Sequence, residues 1–550
     1  MRRDVSALRG SAWLSSARLR RAAPVAAFVA VETFALVRWM AMGRHEWFYF
    51  DEWDALATRK AGDLGDLFRS HNEHWVTLPV LAYRFLYWSF GLRSYFPYRL
   101  AIVLLYLATA AMLLAVMRHA GAHPWIATAA ASAFALFGAG SQNAIAPFQI
   151  TFTGSLFLGL AFLLLADHDG PFSRRDCLAV LVGLLALMTS TVAVAMVAVV
   201  GIAVLFRRGW RLATLLVAPL AACYLVWFAV IGHKGAPPPN TPPQHVTAGG
   251  VARFVGSGLR RTFKSLGPPI GRYNGAVVIV GVAVLVIGLL IAADQRRRSG
   301  QLAQLAAPLA LLSGTVVFLV IVGSGRSARG NGYAGISRYV SVVAALLLPA
   351  LAVAAGALVT RWRWLLPVMV ALFLIGIPQN LDAAAREQRA RAPFDANIQH
   401  VLETLPRDPL ARQVPRSLKP ESFDAWRVTI GWLLDGVKQG RIPAPSVISP
   451  RDVASNNFRL SLYDEHGDPP TTNCRTARRP LEVALHKGDT IGVSRSLIML
   501  APAADPSLVE PKTQFLPSNA RRVVVLRDLG LVLVHPTLSK GWSRICIGKS

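Results

Sequence analysis

The sequence predicts a polytopic α-helical membrane protein: about eleven membrane-spanning helices, then a C-terminal globular domain of roughly 170 residues. Three observations predict it. Long apolar runs recur throughout residues 22–378. Charged residues make up only 16% of the chain, against about 25% in soluble proteins, and the deficit is confined to that stretch; residues 379–550 have ordinary soluble composition. Arginines gather in the short loops between alternate runs, the pattern of cytoplasmic loops.

Taken in order, residues 1–21 read as a basic cytoplasmic tail. They are long for a signal peptide, and no small-residue cleavage pattern follows the first apolar run. Spans are predicted at 22–43, 98–117, 125–140, 150–166, 177–189, 191–206, 211–231, 275–293, 304–323, 338–358 and 363–378. The run 177–206 is too long for one helix, and Thr189-Ser190-Thr191 marks a tight outer turn within it. Residues 76–90 are apolar but short and contain Pro79 and Arg84, which predicts a helix lying on the membrane surface. The inner loops then carry Arg118; Arg174 and Arg175; Arg207, Arg208 and Arg211; Arg296, Arg297 and Arg298; Arg361 and Arg363. Eleven spans put the C-terminal domain outside; an even count puts it inside. The formal net charge of +28 follows in large part from this loop bias, so nucleic acid is not a predicted partner. The outer segments 44–97, 141–149, 232–274 and 324–337 hold most polar residues without a structural role, which points to work done on the outer face.

The first outer segment places Asp51, Glu52 and Asp54 among Trp47, Phe48, Tyr49, Phe50 and Trp53. Carboxylates at a membrane boundary are costly to desolvate, and partial burial tunes one as a general base. The same cluster also suits an acidic helix cap. Aromatic rings beside carboxylates fit a sugar. Next comes His71-Asn72-Glu73-His74-Trp75, a candidate substrate pocket. A divalent metal held by Asp51, Glu73 and a histidine is an alternative, and an interfacial loop anchored by tryptophan a third. Gln142, Asn143 and Gln149 form either an acceptor pocket or a polar turn. A Pro-rich linker, 237–243, leads to a basic amphipathic helix with Arg253, Arg260, Arg261 and Lys264 between apolar positions. It faces a substrate phosphate or anionic membrane lipids. The last outer loop offers Arg326 and Arg329 among glycines, then Arg338 at a helix start. Backbone N–H groups, guanidinium forks and a helix N-terminus together favour phosphate; a flexible basic loop is the competing reading.

In the tail, Ile398, Val401, Leu402 and Leu405 recur at helical spacing. From about residue 445 onward short strands are predicted: 522–526 and 530–534 as a hairpin around Arg527-Asp528-Leu529, and 544–547 as a final strand. This predicts a mixed α/β domain ending in a β-sandwich, without a catalytic constellation. Cys474 and Cys546 form a disulfide if the domain faces an oxidising compartment, or remain free thiols.

A first helix followed by Asp51-Glu52, a long first outer loop, basic later outer loops and a C-terminal soluble domain together resemble the GT-C glycosyltransferases. These include protein O-mannosyltransferases, aminoarabinose transferases and actinobacterial arabinosyltransferases. The resemblance covers the layout of residues 22–378, and its one motif is the Asp-Glu pair. It implies a polyprenyl-phosphate sugar donor, a cell-envelope glycan or lipid acceptor, inversion at the anomeric carbon, and Asp51 as catalytic base with Asp54 in reserve. A transporter or flippase of lipid-linked sugars is the rival function. It requires polar groups near the bilayer midplane and inverted repeats, and neither is clear in the sequence.

Overall fold

A computed structural model describes residues 4–60, 62–235, 246–268, 274–420, 425, 427–466, 468, 470–477, 481–493, 498–503, 510–512, 521–536 and 543–549. The Pro-rich run 237–243 lies outside them. The molecule is mostly helical with a small C-terminal sheet region. α1 (Asp4–Met42) leads into a loop that carries α2 (Leu64–Phe68) and α3 (Thr77–Phe90). The helical body continues through α4 (Phe96–His119), α5 (Pro124–Ala135), α6 (Ser141–Ile145), α7 (Ile150–Ala166), α8 (Arg174–Leu187), α9 (Val192–Arg208) and α10 (Trp210–Val230). It is completed by α11 (Ala248–Leu266), α12 (Asn274–Arg298), α13 (Ala306–Arg326), α14 (Ser337–Arg361), α15 (Leu366–Leu374) and α16 (Ile377–Thr404). α17 (Ile430–Lys438) and α18 (Pro450–Leu460) follow.

Among the described residues eight helical stretches are long and apolar enough to cross a membrane: 22–42, 96–119, 147–166, 210–230, 275–298, 302–329, 337–361 and 363–407. The other three predicted spans are shorter. They fold as α5, α8 and α9, of 12, 14 and 17 residues. Each gives up its end to another structure. After α5 the chain breaks into short turns at Gly138, where a Cβ would come within 2.2 Å of the Asn380 carbonyl. α8 and α9 part at the polar Thr189-Ser190-Thr191. α14 is buried along its apolar window and forms the centre of the body.

Side-chain contacts sort the loops into two ends. At one end Arg208 meets Asp176, Arg207 meets Asp167 and Asp169, Arg296 meets the Ala120 carbonyl and Gln304, and Gln295 meets the Ala357 carbonyl. The arginine-rich loops predicted to share a side gather there, the Arg118 loop being joined through His119 to Asp167 and through the Ala120 carbonyl to Arg296. At the other end the loop after α1 meets the α8–α9 turn, the end of α13 and the C-terminal segment, and Asn143 of α6 meets the start of α14. α3 lies here with Leu81, Phe85 and Trp88 exposed and Thr77, Val80 and Tyr83 buried. α11 turns Phe254 and Phe263 inward and leaves Arg253, Arg260 and Arg261 exposed.

The chain does not divide at residue 379. Ile398, Leu402, Leu418, Val428 and Leu433 share one core with Trp47, Phe48, Trp53, Tyr83 and Tyr98 of the first loop region. A separate core begins with Phe458 of α18 and the strands: Leu485, Ile491, Leu500, Val532 and Val534. Nine strands are described: β1 (Leu462–His466), β2 (Cys474–Ala477), β3 (Leu481–Leu485), β4 (Thr490–Val493), β5 (Ile498–Pro502), β6 (Glu510–Lys512), β7 (Arg521–Val525), β8 (Gly530–Pro536) and β9 (Ser543–Gly548). They form two antiparallel sheets, β1-β7-β4-β9-β2 and β3-β8-β5-β6. The predicted 522–534 hairpin is therefore corrected. β7 pairs with β1 and β4, while β8 pairs with β3 and β5. Val523 and Val525 on one strand and Val532 and Val534 on the other are all buried, so each strand supplies an inner face to a different sheet. Cys474 and Cys546 stand opposite each other in β2 and β9 and form a disulfide.

Candidate functional site

The loop after α1 is distorted where its acidic cluster lies. Phe50 takes φ +45°, a left-handed conformation that bulky side chains avoid, and Asn72 takes φ +51°. Between them Asp54–Thr58 winds as a π-helical turn, a form that recurs at functional sites. The wider turn brings Arg59 back onto the Asp54 carboxylate at 2.9 Å. His71 and His74 exchange backbone hydrogen bonds of 3.0 Å across Asn72 and Glu73. This tight reversal sends the two imidazoles to different partners.

His71 joins the carboxylates. Its Nδ1 donates to Asp54 Oδ2 at 2.9 Å, and its Nε2 lies 3.2 Å from Asp51 Oδ1. Asp54 is buried and held on every side: by Arg59, by the Thr58 hydroxyl at 2.8 Å, and by Arg427 Nη1 at 2.6 Å. Asp51 differs, with 48% of its side chain open to solvent. Burial works against charge at His71, but the two carboxylates outweigh it and raise its pKa, which favours the imidazolium. Burial likewise tends to raise Asp51. The His71 hydrogen bond and charge, aided by Arg427 and Arg338, instead hold it below the usual carboxylate range. The same balance keeps Asp54 ionised.

Glu52 turns the other way. It is 1% exposed, and its oxygens accept from the Tyr83 hydroxyl (2.8 Å), the Tyr95 hydroxyl (2.9 Å) and the Tyr49 N–H (3.0 Å). Burial pushes its pKa up to about 8 against those hydrogen bonds. It is a neutral structural acid, away from Asp51 and its solvent opening. Trp47, Phe48 and Trp53 are also buried, so they frame the cluster from behind and offer no open sugar platform. Phe50 is the exposed aromatic of that run.

The other sequence-predicted residues separate into those near Asp51 and those elsewhere. Arg338 is in electrostatic reach of Asp51 and His74. Its guanidinium lies over Tyr339, and it has no ion-pair partner among the described residues. Asn143 donates to the Arg338 carbonyl at 3.1 Å, and the Gln142 N–H donates to Ser337 Oγ, so both amides set the start of α14. Glu73 pairs with Arg326 at 3.3 Å. His74 is half-buried, and its desolvation pushes its pKa down to about 4. It therefore accepts the Thr191 hydroxyl at 2.5 Å as a neutral ring. Trp75 is buried and stacked on Trp227, a structural position. Arg329 caps Tyr333. On α11, Arg260 is exposed and Lys264 half-buried, with no contact to Asp51 among the described residues. The alternative metal set of Asp51, Glu73 and a histidine does not assemble, because Glu73 points to Arg326. Among the described residues no three His, Cys, Asp or Glu side chains are grouped to hold an ion.

Sequence reasoning missed Arg59, Thr191 and Arg427. The spacing from Asp54 to Arg59 is that of a π turn, a signal present but easily passed over. Arg427 has no local signal; it comes from the tail, in which the sequence shows no catalytic constellation, and reaches Asp54 at 2.6 Å. Comparison with protein-family models, curated proteins and solved structures finds no match for this chain.

Proposed function

We propose that the chain is a multi-pass membrane glycosyltransferase. It would move a sugar from a polyprenyl-phosphate donor to a hydroxyl of a cell-envelope glycan or glycolipid at the outer face, with inversion and with Asp51 as general base. One observation carries the reading. Asp51 is a half-exposed carboxylate, oriented from behind by His71 and Asp54 and within electrostatic reach of Arg338, which has no ion-pair partner among the described residues. The acceptor hydroxyl gives its proton to Asp51 as its oxygen bonds to the anomeric carbon. The bond from that carbon to the donor phosphate breaks on the opposite face, and the lipid phosphate leaves with the electron pair. Arg338 meets its charge. Asp51, kept a weak base by His71, releases the proton to water at its open edge.

Two further features support the setting. The arginine-rich end, taken as cytoplasmic, puts the site and the disulfide on the oxidising side. An apolar cavity of about 280 Å³ between α11, α12, α14 and α15, lined by Phe263, Leu266, Val277, Val280, Met369 and Phe373, suits a prenyl chain.

The test is sugar transfer from polyprenyl-phosphate donors to a cell-wall glycan by purified wild type and Asp51→Asn. The expected loss is roughly 10²–10⁴-fold. The transfer rate should fall at acid pH, below the ordinary carboxylate range, as Asp51 takes up a proton. It should also fall above pH 6.5, as His71 loses one. Equal transfer by both proteins removes Asp51 from the chemistry. No transfer by wild type, with lipid flipping in liposomes, supports the transporter instead.

A further inference from the structure

We propose that Arg427, on the chain beyond the last apolar helix, is a positioning residue of the Asp51 site, so that the C-terminal segment completes the reaction centre. This rests on the reading of Asp51 as base.

The argument is geometric. Asp54 presents two oxygens, and each is committed. Oδ2 takes His71 Nδ1 (2.9 Å) and Arg59 Nε and Nη2 (3.1 and 2.9 Å). Oδ1 takes the Thr58 hydroxyl (2.8 Å) and Arg427 Nη1 (2.6 Å). Among the described residues that fix this carboxylate, Arg427 alone comes from outside the loop following α1. A carboxylate free to rotate would let the His71 ring turn, and His71 is what holds Asp51.

The segment bearing Arg427 is itself firmly placed. Val428 N–H donates to the Ala425 carbonyl at 2.8 Å and Ile430 N–H to the Leu418 carbonyl at 2.9 Å. Val428, Ile430 and Leu433 are fully buried, and Trp432 sits edge-on to Trp53, the residue before Asp54. A second clamp comes from α16. Arg391 lies 3.5 Å from the Tyr49 ring centroid and pairs with Asp395 at 3.1 Å, so the strained turn at Phe50 is gripped on both sides. A domain that merely covered the site would not place a cation on a buried carboxylate behind the base.

Electrostatics extends the role. Among the described residues, the charged groups around Asp51 and His71 are Asp54, Arg59, Arg69, Arg338 and Arg427, with the Glu73–Arg326 pair beyond them beside the neutral His74. Arg427 helps to keep Asp51 ionised. Removing it lets Asp51 hold a proton more readily.

The experiment uses the full chain with Arg427→Gln, Arg427→Lys and, as a control in the same segment, Arg416→Gln, which breaks an exposed pair with Asp435. Arg427→Gln should lower kcat roughly 10–100-fold, leave the donor KM within about twofold, and move the acid limb of the pH–rate profile upward by roughly half a pH unit or more. Arg427→Lys should restore most of the rate, and Arg416→Gln should match wild type. An unmoved acid limb, or a Lys variant no better than Gln, overturns the proposal. Thermal midpoints of Asp54→Asn, Arg427→Gln and the double variant keep the question open to an answer if wild type transfers no sugar. Strongly non-additive midpoints show Arg427 holding Asp54 in a site of other chemistry, so the glycosyltransferase reading fails alone. Additive midpoints remove Arg427 from Asp54 altogether.

Discussion

The two ends of the helical body use the same side chains to different effect. At the arginine-rich end Asp167, Asp169 and Asp176 meet Arg207, Arg208, His119 and His168. Each carboxylate has a cation, and the central pair is sealed, with Asp176 fully buried and the Arg208 side chain 2% exposed. At the opposite end Asp54 is treated in the same way, but Asp51 keeps half of its side chain in water and Arg338 has no ionic partner among the described residues. Among the described residues of the helical body, the non-glycine residues with positive φ, Phe50 and Asn72, both lie at this second end. A closed network pins loops together, whereas an open one keeps charge available for a ligand. Residue type does not distinguish them; the state of completion does.

The sharpest break of this comparison is Arg208→Gln. It strips the guanidinium from the buried Asp176 carboxylate and leaves it only the His168 ring at 3.3 Å; it should cost about 3–5 kcal/mol, read as a lower unfolding midpoint, with transfer per folded molecule unchanged. Arg338→Gln should do the reverse. Stability should change by less than about 0.5 kcal/mol, while the KM for donor rises roughly tenfold or more. A midpoint that falls as far for Arg338→Gln as for Arg208→Gln would make both ends structural.

These two ends were unequally legible. The arginine-rich end was read from loop charge alone, because a membrane topology bias acts on each loop independently. The location of the other end was also legible, in Asp51, His71 and Arg338. Its division of labour was not. Glu52 adjoins Asp51 in sequence yet faces three tyrosine groups, because the turn at Phe50 and the π turn after it set the register of the cluster. Trp75 reads as part of a substrate pocket until Trp227 covers it. Arg427 reaches Asp54 only through the core that α16 and α17 share with the first loop, a long-range packing event with no periodicity to announce it. The β7–β8 error has a similar origin. Alternation identifies a strand and its inner face, but two inward faces joined by a short turn fit a hairpin and a sheet-to-sheet crossing equally well.

The smallest expected effect concerns Glu52, the carboxyl that the loop turns inward. Its pKa rises from 4.5 to about 8 on folding, through burial. The folded state therefore binds this proton more tightly than the unfolded chain, and its contribution to stability is lost as pH climbs from about 4.5 to about 8. Glu52→Gln should fit the same place. The Tyr49 N–H and Tyr95 hydroxyl donate to one oxygen, which the amide carbonyl replaces, while the amide NH₂ donates to the Tyr83 hydroxyl at the other. The variant should match wild type near pH 5 and lose less of its unfolding midpoint by pH 8. The flattening is partial, since Glu46 is also pushed up to about 8 and His71 sheds its own contribution above 6.5. Midpoints that fall in parallel for both proteins would show Glu52 ionised in the fold, and would return it to Asp51 as a second open carboxylate.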